Sequence, residues 1–262
     1  MESTGIPIEI DPQAYGSLPF TWAVRSDVGK VREINEDAYL VEPETGLFIV
    51  SDGMGGHPGG EIASAFVASD LSVTIDTGLH KLRSDSRHAM RRLIKRAIRQ
   101  HSRQVRIEGQ NESGYKDMGA TVVLALVHNG RATIANLGDS RLYRFRRGKL
   151  TQLSRDHSVI GELIEQGKLR PEEAENHAAG GMITQYMGME KKPRPYIKSF
   201  QIKKNDRLLL CSDGLTDMLS DVEIQSVLSQ NPDADAAVQT LVKQANNAGG
   251  ADNITVILID CH

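Results

Sequence analysis

Cysteine is almost absent: Cys211 and Cys261 are the only two in 262 residues. Cys211 sits inside an apolar run and Cys261 is penultimate, so no disulfide framework is expected and a reducing, cytoplasmic setting is. Long apolar runs are absent as well. The longest, Val122 to Val127, falls far short of the roughly 20 residues a membrane-spanning helix needs. The first residues carry no basic-then-apolar leader, and no membrane partner is expected. Net charge is small, −3, so there is no overall field to gather nucleic acid or anionic lipid, and any basic binding site must be local.

What is present is an ordinary globular composition, 39% hydrophobic and 25% charged, with length enough for one large domain. Residues 1–20 hold Pro7, Pro12 and Pro19 without sustained periodicity and read as a loosely ordered extension, leaving 21–262 as a single domain. A first strand is expected at Thr21–Val24. From Glu61, the positions Ile62, Ala65, Phe66, Ser69 and Val73 recur at helical spacing, and Met90, Leu93, Ile94, Ala97, Ile98, His101 and Val105 repeat the pattern in a longer helix. Ala120–Val127, Arg131–Asn136 and Leu142–Arg146, separated by turn signals at Asn129-Gly130 and Gly138-Asp139-Ser140, predict an antiparallel meander. Residues 155–195 are polar, with Gly180-Gly181 and three prolines, and predict a short helix plus a mobile flap. Strands at Ser199–Ile202 and Arg207–Cys211, a helical stretch within Asp221–Ala248 and a last strand at Ile254–Asp260 complete an α+β chain of packed sheets covered by helices.

Ser-Asp-Gly occurs twice, each time closing a short apolar run: Leu47 to Val50 before Ser51-Asp52-Gly53, and Leu208 to Cys211 before Ser212-Asp213-Gly214. A carboxylate at such a stop is delivered to the rim of a sheet. Glu36-Asp37 and Asp252-Asn253 add acids at further strand boundaries. No Cys or His of metal-ligand spacing accompanies them, and an all-oxygen set suits Mg or Mn rather than zinc. An isolated Asp-Gly after a strand is usually a turn, but turn chemistry does not predict the recurrence, the Asp-Asn before a strand and the upstream Arg32-x-x-x-Glu36-Asp37 together. These signals point to a two-metal hydrolase. A planar guanidinium suits phosphate, which gives Arg32 a role beside the acids; its alternative is a surface ion pair with Glu33 or Glu36.

The same residues resemble the metal-dependent (type 2C, PPM) protein serine/threonine phosphatases in their bacterial form. The likeness runs from about Thr21 to Asp260. It passes through Arg32-x-x-Asn35-Glu36-Asp37, Asp52-Gly53-Met54-Gly55-Gly56-His57, Met118-Gly119-Ala120-Thr121, Gly138-Asp139-Ser140-Arg141, Asp156-His157-Ser158, Ser212-Asp213-Gly214 and Ala251-Asp252-Asn253. The resemblance implies a central β-sandwich of two antiparallel sheets flanked by helices, with two Mn or Mg ions at one end. By that likeness Asp52 bridges both ions, Asp213 and Asp252 complete one site and the Gly53 carbonyl serves the other. Glu36 and Asp37 act mainly through waters, and Arg32 clamps the substrate phosphate. Asp117 stands where bacterial members hold a weak third metal; a solvent-exposed loop acid is the alternative. His57 matches the Gly-Gly-His of bacterial members, and either catalysis with substrate contact or a structural role fits it. Gln185 departs from the family's usual Thr-Arg. The implied partners are phosphoprotein substrates and an opposing serine/threonine kinase, and a monomer is expected.

Three features have plainer readings. Asp139 and Arg141 are explained by a hairpin turn. Asp156-His157-Ser158 lacks the Gly-x-Ser-x-Gly elbow of a nucleophilic triad. The arginines of the second helix read as a solvated face, with an acidic partner or nucleic acid as the alternative; the helix lacks aromatics that would stack bases. Two other functions compete with the hydrolase reading. A catalytically silent relative that binds a partner would most simply have lost Asp52, Asp213 or Asp252, and a phosphohydrolase with an Asp nucleophile wants a second Asp two residues on, where Met54 and Leu215 stand.

Overall fold

The computed structural model of the chain describes residues 19–55, 59–111, 115, 118–170, 173 and 177–262. His57, Asp117 and most of the expected N-terminal extension lie outside the described residues. In chain order the elements are β1 (Phe20–Asp27), β2 (Asp37–Glu42), β3 (Leu47–Met54), α1 (Gly59–His80), α2 (Arg87–Asn111), β4 (Gly119–Ala120), β5 (Val122–His128), β6 (Arg131–Leu137), β7 (Arg141–Arg146) and β8 (Lys149–Gln152). They continue as α3 (Val159–Glu165), β9 (Tyr196–Gln201), β10 (Arg207–Cys211), α4 (Asp213–Thr216), α5 (Asp221–Gln230), α6 (Ala234–Asn247) and β11 (Ile254–Cys261).

Two antiparallel sheets, β1-β11-β10-β7-β8 and β2-β3-β5-β6-β9, stack face to face, and the short β4 pairs with β3. Successive strand residues point to opposite faces, and here both faces are covered, which is why the strands read as continuous apolar runs. In β3, Phe48 and Val50 enter the layer between the sheets while Leu47 and Ile49 face α1 and α2. In β10, Leu208 and Leu210 enter the same middle layer while Leu209 and Cys211 face α5 and α6. The result is helices, sheet, sheet, helices. By length and composition alone α1 could cross a membrane, yet Ala63, Val67, Leu71 and Ile75 are fully buried in the helix-sheet core.

Several expectations change. The predicted meander is split: β5 and β6 pair in one sheet, but the turn at Gly138-Asp139-Ser140 carries the chain into the other, where β7 pairs with β10 and β8. The stretch 221–248 is two helices, each with its own start: Ser220 caps α5 in a capping box with Glu223, and Asp233 caps α6 just after Pro232. The first Ser-Asp-Gly does not end a strand, since β3 runs on to Met54. β2 was not anticipated. It is an edge strand of half-buried residues whose register is set by β3, a non-local partner.

Candidate metal-binding and catalytic site

The acids gather where the two sheets meet at one end. Asp37 opens β2 and Asp52 lies directly opposite it in β3. From the other sheet, β10 ends at Cys211 and Asp213 begins α4 two residues later, while Asp252 sits just before β11. Ser212 ties the sheets together: its hydroxyl donates to Asp37 Oδ2 at 2.7 Å and accepts from the Thr255 amide at 2.9 Å.

Both Ser-Asp-Gly glycines are demanded by close backbone approach rather than by a turn. A Cβ on Gly53 would lie 2.1 Å from the Gly60 carbonyl oxygen, and one on Gly214 would lie 2.1 Å from that of Asn253. Asn253 organises the Arg32–Asp37 loop. Its Oδ1 accepts from the Glu36 amide at 2.8 Å, and its Nδ2 donates to the carbonyls of Val28 and Ile34, each at 2.9 Å. Ser64 of α1 donates to the Glu36 carbonyl, and Thr121 Oγ1 accepts from the Asp52 amide at 3.0 Å. Glu36 thus sits against the first turn of α1, where a helix N-terminus favours negative charge.

These carboxylates are half-buried by surface area, yet they are set deep in protein. Burial first, then the charges of Asp213 and Asp37, pushes Asp52 well above the usual carboxylate range. Burial, then Asp139 and Asp217, does the same to Asp213. Asp37 is pushed up to about 7 by burial, against the hydrogen bonds of Ser212 and Thr255. Asp139, which a turn seemed to explain, is pushed up to about 6 by burial, and its buried Oδ1 has no hydrogen-bond partner. Asp217 is raised by burial too. Asp217 was missed in the sequence because it lies at no strand stop, and Asp139 was assigned to the turn that follows β6.

Among the described residues, no three acidic or imidazole side chains already close into a metal-ligand group. Two of the acids have other partners: Asp37 accepts from Ser212, and Arg32 donates to Asp252 Oδ2 at 2.8 Å rather than pairing with Glu33 or Glu36. The donor set nevertheless fits hard divalent cations. It is all oxygen, it concentrates like charge at half-buried positions, and Glu36 Oε1 is buried without a hydrogen-bond partner.

The plainer features have structural uses. Asp156 pairs with Arg141 at 2.8 Å, His157 Nδ1 accepts from the Gly138 amide at 3.2 Å, and Ser158 caps α3, so these three do not form a triad. The α2 face is not simply solvated: Arg99 donates to the Pro193 carbonyl at 3.1 Å and Arg106 to that of Glu190 at 3.2 Å, anchoring the end of the flap segment. Gln185, where an Arg was expected, accepts from the Arg194 amide at 2.7 Å.

Residues 30–258 match the family model described as Protein phosphatase 2C. Protein phosphatase PhpP of Streptococcus pneumoniae is 38% identical over 239 residues, covering 89% of this chain and 94% of that one. The Streptococcus agalactiae serine/threonine phosphatase structure superposes with a TM-score of 0.84 at 32% identity, covering 93% of this chain and 100% of the other. The catalytic domain of the serine threonine protein phosphatase PstP, solved in complex with two manganese ions, gives a TM-score of 0.75 at 31% identity, over 92% of this chain and 97% of that one. The chain belongs to the protein phosphatase 2C family and is a phosphatase of that family.

Proposed function

We propose that the chain hydrolyses phosphoserine and phosphothreonine on proteins with a dinuclear Mn or Mg centre, acting as a cytoplasmic monomer that opposes a serine/threonine kinase, without nucleic-acid or membrane partners. The observation that carries this reading is the meeting of Asp37 and Asp52 from one sheet with Asp213 and Asp252 from the other at a single end of the fold. When bound, two divalent cations supply a nucleophile from water and neutralise charge on the phosphoryl oxygens.

Asp52, Asp213, Asp252 and the Gly53 carbonyl would hold the cations, and Glu36 would act mainly through site waters. Asp37, oriented by Ser212, accepts hydrogen bonds from site waters. Arg32 exchanges Asp252 for the substrate phosphate, which its planar fork fits. His57 donates a proton to the leaving oxygen or contacts substrate, and Asp117 holds a weaker third cation. Discrimination against phosphotyrosine belongs to the same reading.

Turnover of phosphoserine, phosphothreonine and phosphotyrosine peptides, with Mn and with excess EDTA, tests it. The first two are expected to be hydrolysed, with Mn, at higher kcat/KM than the third. Equal rates with EDTA would reject the dinuclear centre, and equal kcat/KM for all three peptides would reject the specificity.

A further inference from the structure

Apart from the flap anchors, α2 carries a row of cations with no assigned use. Arg87, His88, Arg91, Arg92 and Lys95 line one wall of a groove of about 580 Å3, and Pro195, Ile197 and Ser199 line the other. All five basic side chains are exposed, and among the described residues none pairs with a carboxylate; the polar contact within the row is Arg92 to His88 Nε2 at 3.1 Å. Uncompensated charges this close repel one another, so an anionic partner is favoured there. The opposite wall is β9 and the residue before it; β9 is the last strand of its sheet and, among the described residues, pairs with β6 alone. Its other edge therefore offers backbone groups to an added strand.

We propose that this groove docks an extended acidic polypeptide segment, which adds along β9 with its carboxylates facing α2. The two periodicities agree. Arg87, Arg91 and Lys95 recur every four residues, about 6 Å along a helix, and alternate residues of an extended chain recur at about 6.6 Å. Asp or Glu at every second position of the segment therefore keeps step with the cations. The span from Arg87 to Lys95 is about 12 Å and accommodates about four extended residues. Ile197 supplies an apolar floor, being buried in the helix-sheet core. A second groove lies beside Arg99 of the same helix, where Lys191, Lys192 and Arg194 of the flap segment add positive charge and Glu162 of α3 offsets part of it. Single-stranded nucleic acid is the poorer fit, because among the described residues no aromatic side chain lines the first groove for bases to stack on.

The test is fluorescence anisotropy with a fluorescein-labelled peptide alternating Glu and Thr, its Gln-for-Glu counterpart and a single-stranded oligonucleotide of equal charge. The Glu peptide is expected to bind most tightly, to weaken with salt, and to lose at least ~10-fold in affinity in both R91E/K95E and R91Q/K95Q. Slowed amide exchange in β9 on binding is expected from strand addition. Unchanged affinity in the neutral pair, equal binding of the Gln peptide, tighter binding of the oligonucleotide, or unprotected β9 amides would overturn the proposal. Turnover of p-nitrophenyl phosphate in the same variants is expected to match the parent protein, which separates a failure of the groove from a failure of the phosphatase reading.

Discussion

With divalent cations chelated, Asp37 should make stability fall as pH rises, in the same sense as Asp52, Asp213 and Asp139. The Asp37 carboxyl is pushed from the ordinary 3.8 to about 7, by burial first, with the charges of Asp252 and Glu36 adding to it and the hydrogen bonds of Ser212 and Thr255 opposing. Because the folded state then holds the proton more tightly than the unfolded chain, the contribution is full below the unfolded pKa and is lost as pH rises toward 7. A rise of about three pH units at about 1.36 kcal/mol each amounts to about 4 kcal/mol. For a chain of this size, ~2–4 °C per kcal/mol converts that to about 8–16 °C in Tm. His101 and His157, lowered chiefly by burial, act in the opposite sense, since a neutral buried imidazole loses stability as pH falls through the ordinary His range. The measurement is therefore a difference. Calorimetry in EDTA on the parent protein and on Asp37→Asn, which keeps an oxygen acceptor for Ser212, should show the parent losing its advantage over the variant between roughly pH 4 and pH 7.5. A difference that stays flat or grows with pH would refute the buried-carboxyl account. Mn at a hundredfold excess over Kd should then restore about 2.7 kcal/mol to the parent at neutral pH.

Asp213→Asn and Asp252→Ala should each lower Mn-dependent turnover by at least ~100-fold, while far-UV circular dichroism stays unchanged; near-native rates would remove those acids from the centre. Gly214→Ala forces a Cβ to 2.1 Å from the Asn253 carbonyl oxygen, so a lower Tm and weaker Mn binding by calorimetric titration are expected together. Arg207 bonds Asp260 at 2.7 Å and the carbonyls of Leu228 and Asn231 at 3.0 and 2.6 Å. Arg207→Ala strands those acceptors and should cost about 3–5 kcal/mol in urea unfolding at an unchanged m value.

The layers were readable because strands buried on both faces announce themselves as apolar runs, as Leu47 to Val50 and Leu208 to Cys211 do. Less readable was anything decided by a distant partner. Nothing local in Arg141 to Arg146 shows that β7 joins β10 instead of continuing beside β6. Nothing local in Asp217 or Asp139 shows that both stand near Asp213 and help raise its pKa. Nor does helical spacing distinguish Arg99 and Arg106, which grip flap carbonyls, from the free cations at the other end of the same helix.

The repeated Ser-Asp-Gly shows how far a motif carries. The same tripeptide continues a strand at Gly53, where β3 goes on to pair with β4, and starts a helix at Gly214. The local conformations differ, so a shared turn cannot be the reason for either glycine. What the two share is a carbonyl oxygen, from Gly60 in one case and Asn253 in the other, at the place a Cβ would occupy. Each of those residues adjoins another part of the acid cluster: a Cβ on Gly60 would meet the Glu36 carboxylate, and Asn253 follows Asp252. The glycines let the loops and helix turns that carry the acids close against the sheet ends that carry Asp52 and Asp213. Recurrence in the sequence thus marked the right residues, while the physical cause lay in segments that approach them only after the chain has folded.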